Sequence, residues 1–543
     1  MEYGISPMAV TPLFSLPFNL ETEVMHLGME AGFTYVVLNG EGITIIDYDL
    51  ETEQVVIPES IIVDSVSYDV LAINHHAFSF NATLKEISLP DNLGYIGYGA
   101  FYETNKLVIV NINETSKLES IDSYAFSYAH KLTSIYLPAS LTYLADYAFQ
   151  SAQQLRNVVF AEGINLEFIN DGTFSSCTNL EEIIIPDSVI DIGPDAFSAC
   201  QRLRNVELSN SGNLLQIQMY AFSTNYSLET IEIPASVQNI GLFAFGNCYN
   251  LTEVTFAAGS TLESIGQYAF YYNMRLESIS LPDTLAVIGS DAFGECFNLR
   301  EVNIPSALTE IPSNIFVDCY SLETVIFPGN SIVTEINPYA FYNCQDLAEI
   351  NLPETISAIG EGAFYSCFSL GEITIPALIE IIEYRTFGYY TALEHVYFTD
   401  VYNLTGIGSF AFADCPNLES LLIPDTVTFI GEYAFMNDPT LVLNMEHVSV
   451  PVTWSPDWNL LGPTEVYWAV NHRYIYVEPD NGDAQIHIYQ KIGTAVTAPA
   501  DPVKAGFVFS GWYVYNGSFY EPYVFDFMPE NDVLVVAVWE PEI

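Results

Sequence analysis

One phenylalanine returns through most of this chain at a spacing that leaves the fold little freedom. It stands at 78, 101, 126, 149, 174, 197, 222, 245, 270, 293, 316, 341, 364, 387, 412 and 435, and successive copies are 23 or 25 residues apart. Five residues before each copy is Ile, or Leu once, at Leu144, and six residues after each is Leu, from Leu84 to Leu441. A register held through sixteen copies means one unit stacked on itself, each burying its apolar face against the next.

The unit at Phe174 continues Ser-Ser-Cys-Thr-Asn-Leu-Glu-Glu-Ile-Ile-Ile-Pro. Ile183 and Ile185 are two apart and share one face of a strand. Pro186 ends that strand where its missing N–H harms a ladder least. One short strand per unit, always in the same direction, predicts a parallel sheet with the Phe, Ile and Leu columns behind it. The fold class expected is a mainly β solenoid with short turns or helical pieces. Six of the steps are 25 residues long, and their extra residues follow the strand in segments such as Ser209 to Asn213, a longer turn.

The eight cysteines, 177, 200, 248, 296, 319, 344, 367 and 415, each lie three residues after a repeat Phe. They fill one structural column, which other units fill with Asn81, Thr104, Ala129, Asn225 or Asn273. Tyr390 and Asp438 depart from that pattern. A position that accepts Cys, Asn, Thr or Ala wants a small buried group that meets backbone, so free thiols are expected rather than disulfides. Neighbouring rungs would still lie close enough to oxidise.

Thirteen basic residues face 68 acidic ones, a formal net charge of −55. Such a chain repels nucleic acid and anionic lipid surfaces and attracts cations or basic proteins. No run of eighteen apolar residues occurs, so no membrane insertion is read. The first residues lack a basic n-region and are broken by Pro7, Pro12 and Pro17, so no secretory signal is visible.

The flanks differ from the array. Residues 1–26 read as an extended leader. Residues 27–77 read as an N-terminal β cap, with a hairpin around Asn39-Gly40 and a strand at Gln54 to Ile57. The array is 78–438. Residues 439–470, where Trp454, Trp458 and Trp468 appear, read as a C-terminal cap. Residues 471–543 form a separate small unit, with strand alternation in Tyr474 to Val477 and Ile486 to Tyr489.

The frame Leu-x-x-Ile-x-Ile-Pro with Ile-Gly-x-x-Ala-Phe-x-x-Cys-x-x-Leu, seen at Ile192–Phe197, Ile288–Phe293 and Ile359–Phe364, resembles the BspA-type leucine-rich repeat. The resemblance implies a leucine-rich-repeat solenoid on a surface-exposed or secreted protein, adhesin-like in role. The frame Gly506-Phe-Val-Phe-Ser-Gly511-Trp512-Tyr513, then Phe525-Asp526-Phe527 and Val533 to Trp539, resembles the internalin B-repeat (Listeria–Bacteroides repeat). That resemblance implies a compact β-grasp module serving as a stalk or end unit.

No catalytic constellation is found: the eight His are scattered, and no Cys-x-x-Cys, phosphate loop or nucleophile elbow occurs. Sequons stand at Asn113 and Asn516, and also at Asn81 and Asn225, which should be buried. The informative surface is the outward face of the strands. Its positions carry Glu86, Glu182, Glu207, Glu232, Glu253, Glu301, Glu349 and Glu372, no Lys or Arg, one His, His395, beside Tyr397, and also Tyr136. Glu207 with Glu232, and Glu349 with Glu372, fall on adjacent units, where like charges repel. Three readings follow: a solvated face, a receiver for a basic partner, or paired carboxylates that hold calcium. The leading function is a non-enzymatic extracellular or cell-surface protein that binds a protein or glycan partner. The alternative is a self-associating structural protein, suggested by Tyr124, Tyr147, Tyr220, Tyr268, Tyr339 and Tyr433, each two residues before a repeat Phe.

Overall fold

A computed structural model describes residues 24–38, 42–389, 392–399, 403–447, 449–468, 472–491, 495–515, 520–527, 529 and 531–541. Most of the leader, the Asn39-Gly40 turn, Tyr390 and the Asn516 sequon lie outside the described residues. The chain divides into two compact units, Met1–Leu370 and Gly371–Ile543. Among the described residues no helix is long and apolar enough to cross a membrane.

Each coil has three sides. The front strand, such as Glu182–Ile185, alternates exposed and buried residues, so Ile183 and Ile185 enter the core. A second strand of two residues, such as Asp191–Ile192, ends on the Ile that precedes the Phe by five. Sequence reasoning expected one strand per unit, whereas the coils build a parallel sheet on each of two sides. Two residues are too few to show a period of two, which is why the second strand left no pattern.

The third side is the turn that carries the Phe. Around Phe174, the N–H groups of Gly172, Phe174 and Ser176 donate to Pro194, Ala196 and Ser198 of the next coil, at 2.8, 2.8 and 2.7 Å. The alternate N–H groups, on Thr173, Ser175 and Cys177, close back three residues within the coil. The turn is therefore a third ladder rather than a loop. In every coil the residues two before and two after the Phe have positive φ, and among them only Gly99, Gly172 and Gly362 are glycine. A left-handed residue at every fourth position interrupts any right-handed helix. This corrects the expected helical pieces: no helix occurs among the described residues.

The phenylalanines form the spine. In the first unit the rings from Phe78 to Phe364 stack face to face, with centroids 4.9 to 5.9 Å apart. In the second unit Phe387, Phe412 and Phe435 continue the same arrangement at 5.4 and 5.9 Å. All are fully buried. Aromatic rings close the stacks: Tyr48 lies on Phe78 at 5.2 Å, and Trp458 meets Phe435 edge-on at 6.2 Å.

The cysteine column is buried and unbridged, as its register required. Each thiol donates to the carbonyl of the repeat Phe one coil earlier, from Cys177 to Phe149 at 3.3 Å through Cys415 to Phe387 at 3.0 Å. Burial pushes the Cys200, Cys248, Cys296 and Cys367 thiols up to about 12, so they are inert. Asn273 plays the same part, donating Nδ2 to the Phe245 carbonyl at 3.1 Å. Asn225 is buried, but Asn81 is half exposed. The reason is position: Asn81 belongs to the first coil, has no earlier repeat Phe to cap, and turns Oδ1 to accept from the N–H groups of Thr83 and Leu84.

At the N-terminal end, Val24–Glu30, Phe33–Leu38 and Gly42–Tyr48 pair antiparallel, and Val66–Ile73 joins them to the second sheet. The front sheet is not continuous. In the first unit it parts between Asn157–Phe160 and Glu182–Ile185, and again between Asn205–Leu208 and Thr230–Ile233. The last strands form a five-stranded sheet whose central parallel pair is His472–Glu478 with Val533–Pro541. Its core is Ile475, Val477, Val496, Trp512, Val535 and Ala537.

Candidate functional site

The front strands place the acidic row where alternation directs it. Glu182, Glu207, Glu232, Glu253, Glu301, Glu349 and Glu372 are all exposed, while Glu86, Tyr136, His395 and Tyr397 are half buried. The register keeps the carboxylates apart. Glu182 stands opposite Asn205, and Glu207 opposite Ile184. Glu253 faces Thr230 on one side and Ser278 on the other, and Ser278 then separates it from Glu301. Glu232 stands opposite Thr255. Glu207 and Glu232 do not meet across a ladder, because their strands are unpaired. Glu349 lies outside any strand, so its carboxylate is not held in a row. Interleaved Asn, Ser and Thr thus separate Glu182, Glu253 and Glu301 from like charges along their paired ladders.

Few cations answer this charge. Among the described residues the Lys and Arg ion pairs are Lys85 with Glu53, Arg300 with Glu323, and Lys504 with Asp480. Glu86 is held by amides instead, accepting from Gln54 Nε2 at 3.0 Å and Asn111 Nδ2 at 2.9 Å. Among the described residues no group of three or more His, Cys, Asp or Glu is placed to hold a metal, so the front carboxylates do not converge on a calcium site.

His395 and Tyr397 behave differently from the glutamates. Their rings lie 5.9 Å apart, and Tyr397 meets His487 of the last sheet edge-on at 6.0 Å. They mark a contact inside the second unit rather than an open surface.

A second acidic band was missed. Asp146, Asp171, Asp191 and Asp195 precede the Phe turn in consecutive coils, half buried. Desolvation raises the pKa of each, and neighbouring aspartates add to it for Asp146, Asp171 and Asp191. Asp191 is pushed up to about 6 although Gln218 Nε2 donates to both its oxygens. Their varied offsets from the Phe hid the band. Nearby, Tyr95 donates its O–H to Asp122 at 2.7 Å and lies 3.2 Å from His75 Nε2. Burial and Asp122 raise the Tyr95 pKa, which suits a clamp between coils and not a nucleophile. His75 and His76 both serve the first turn, against Tyr95 and Tyr98.

The family model described as BspA type leucine rich repeat region (6 copies) matches residues 59–175, 167–271, 263–334 and 330–442. A crystal structure of a leucine-rich repeat protein from Bacteroides ovatus ATCC 8483 is 27% identical, covering 78% of this chain and 98% of its own, with a TM-score of 0.58. A leucine rich cell surface protein from Faecalibacterium prausnitzii A2-165 is 23% identical over 69% of this chain and 95% of its own, with a TM-score of 0.39. The pneumococcal vaccine antigen PcpA is 21% identical over 63% of this chain and 94% of its own, with a TM-score of 0.40. No functionally curated protein matches the chain.

Proposed function

Because the chain belongs to the BspA-type leucine-rich repeat family, we propose that it is a non-enzymatic binding protein of the cell surface or extracellular space. Its front strand face receives a basic protein partner. The observation that carries this reading is the set of exposed front-face glutamates, none of which forms an ion pair with Lys or Arg among the described residues. Residues 471–543 serve as an internalin B-repeat-like spacer or second contact, a reading supported by the Gly506 to Trp539 frame and the mixed five-stranded sheet. Capture from matrix and serum proteins tests the function. The partner retained at low salt is expected to be released at high salt and lost when Glu253→Lys and Glu301→Lys are combined. Capture indifferent to both changes would refute a charged strand face as the contact.

Self-association is the second reading, favoured by Val452 and Leu461, 101% and 68% exposed within 439–470. The repeat tyrosines support it less, because Tyr124 stacks on Tyr147 at 5.2 Å and each is half buried. Light scattering that stays at monomer mass with rising concentration would exclude this second reading.

A further inference from the structure

Both sheets part between the same two coils of the first unit. In front, Asn157–Phe160 pairs only with Ser134–Leu137, and Glu182–Ile185 pairs only with Asn205–Leu208. Behind, Tyr143–Leu144 ends one sheet and Phe168–Ile169 begins the next. A groove of about 550 Å³ opens at the front break.

Its lining differs from the rest of the front face. Val158 and Phe160 hold inward strand positions, which are buried in most coils, yet here they are half exposed. The outward Val159 and Ile184 are 50% and 61% exposed on neighbouring rungs. Around this apolar floor stand the carboxylates of Glu162, Glu182 and Asp187. No Lys or Arg lines the groove; Arg156 and Arg204, close in sequence, stay outside it.

We propose that this groove anchors the partner on the acidic front face and takes an extended segment of a basic protein, an apolar side chain flanked by Lys or Arg. The proposal rests on the binding reading above and names where and what it binds. Two features select this occupant. The floor offers apolar surface whose cover by an apolar side chain removes it from water. The acidic rim complements flanking cations.

The test uses the full chain and fluorescence anisotropy with a labelled decapeptide alternating Leu and Lys. Its Leu-Glu counterpart and a Ser-Lys peptide serve as controls. The Leu-Lys peptide is expected to bind, and the other two at least about tenfold more weakly. Ile184→Asp and Glu182→Lys should each weaken binding about tenfold or more, while Glu301→Lys, on the same face outside the groove, should change it less than about twofold. Ile184 is exposed, so its variant keeps the fold, which circular dichroism checks. Equal loss with Glu301→Lys would overturn the groove in favour of diffuse charge attraction. Equal binding of the Ser-Lys peptide would overturn the apolar floor. If the captured partner is lost with Glu253→Lys and Glu301→Lys but unaffected by Ile184→Asp, the groove fails and the binding function stands. If salt and those two reversals leave capture unchanged while the peptide discriminates as above, the charged face fails and the groove stands.

Discussion

Phe222→Ala is expected to destabilise the first unit by about 3–5 kcal/mol. The ring is fully buried and stacked between Phe197 at 5.2 Å and Phe245 at 5.3 Å. Truncation leaves a cavity in the spine and removes two stacking partners, each worth roughly 1 kcal/mol beyond its buried area. Each coil touches only its neighbours, so the loss concentrates at two coil interfaces and should split one urea transition into two. Phe222→Leu fills most of the volume and should cost less than half as much. Urea unfolding followed by circular dichroism checks both. A cost for the alanine variant within about 1 kcal/mol of zero would mean that the stack does not hold the coils together.

Asp438→Asn is expected to stabilise the second unit, and more so as pH rises. Asp438 occupies the cysteine column, fully buried, with Oδ1 accepting the Cys415 N–H at 2.6 Å and Oδ2 unpartnered. Desolvation pushes its pKa up to about 8, helped by Asp414 and opposed by the Cys415 bond. A raised folded value means that the folded state favours the proton. Asp438's contribution is fully present below the unfolded value of 3.8 and is lost as pH rises toward about 8. The Asn273 geometry shows what an amide does there: Oδ1 accepts from Cys248 at 2.9 Å and Nδ2 donates to the Phe245 carbonyl at 3.1 Å. The variant should therefore match the parent near pH 4 and exceed it by roughly a few kcal/mol at pH 8. Melting temperatures across that range check it. A constant difference at every pH would contradict the buried acid.

What the sequence reveals depends on which side of the coil a residue serves. The Phe spine and the cysteine column were legible because core positions tolerate few residue types, so identity recurs in register. The front strand was legible through alternation, as in Ile183 and Ile185. The turn ladder was not. Its left-handed positions hold Tyr124, Asp195, Asn314 and Arg385 as readily as Gly172, so neighbouring coils impose the conformation and no residue type announces it. The Glu row was legible, but its spacing was not: Ser278 between Glu253 and Glu301 matters only once the ladder is known. The groove was hidden for a related reason. Val159 and Ile184 look like ordinary strand residues, and only the lateral parting of two coils exposes what lies beneath them.

All of this depends on the Phe turn being a third hydrogen-bonded side of the coil, continuous even where the two strand sheets part. Amide hydrogen exchange on the full chain tests that most directly. The N–H groups of Gly172, Phe174 and Ser176, each bonded to the next coil, should exchange as slowly as those of the paired strand Ser134–Leu137. Exchange at the rate of the exposed Ser209 to Asn213 turn would show that the Phe segment is a loop, and the three-sided coil would be wrong.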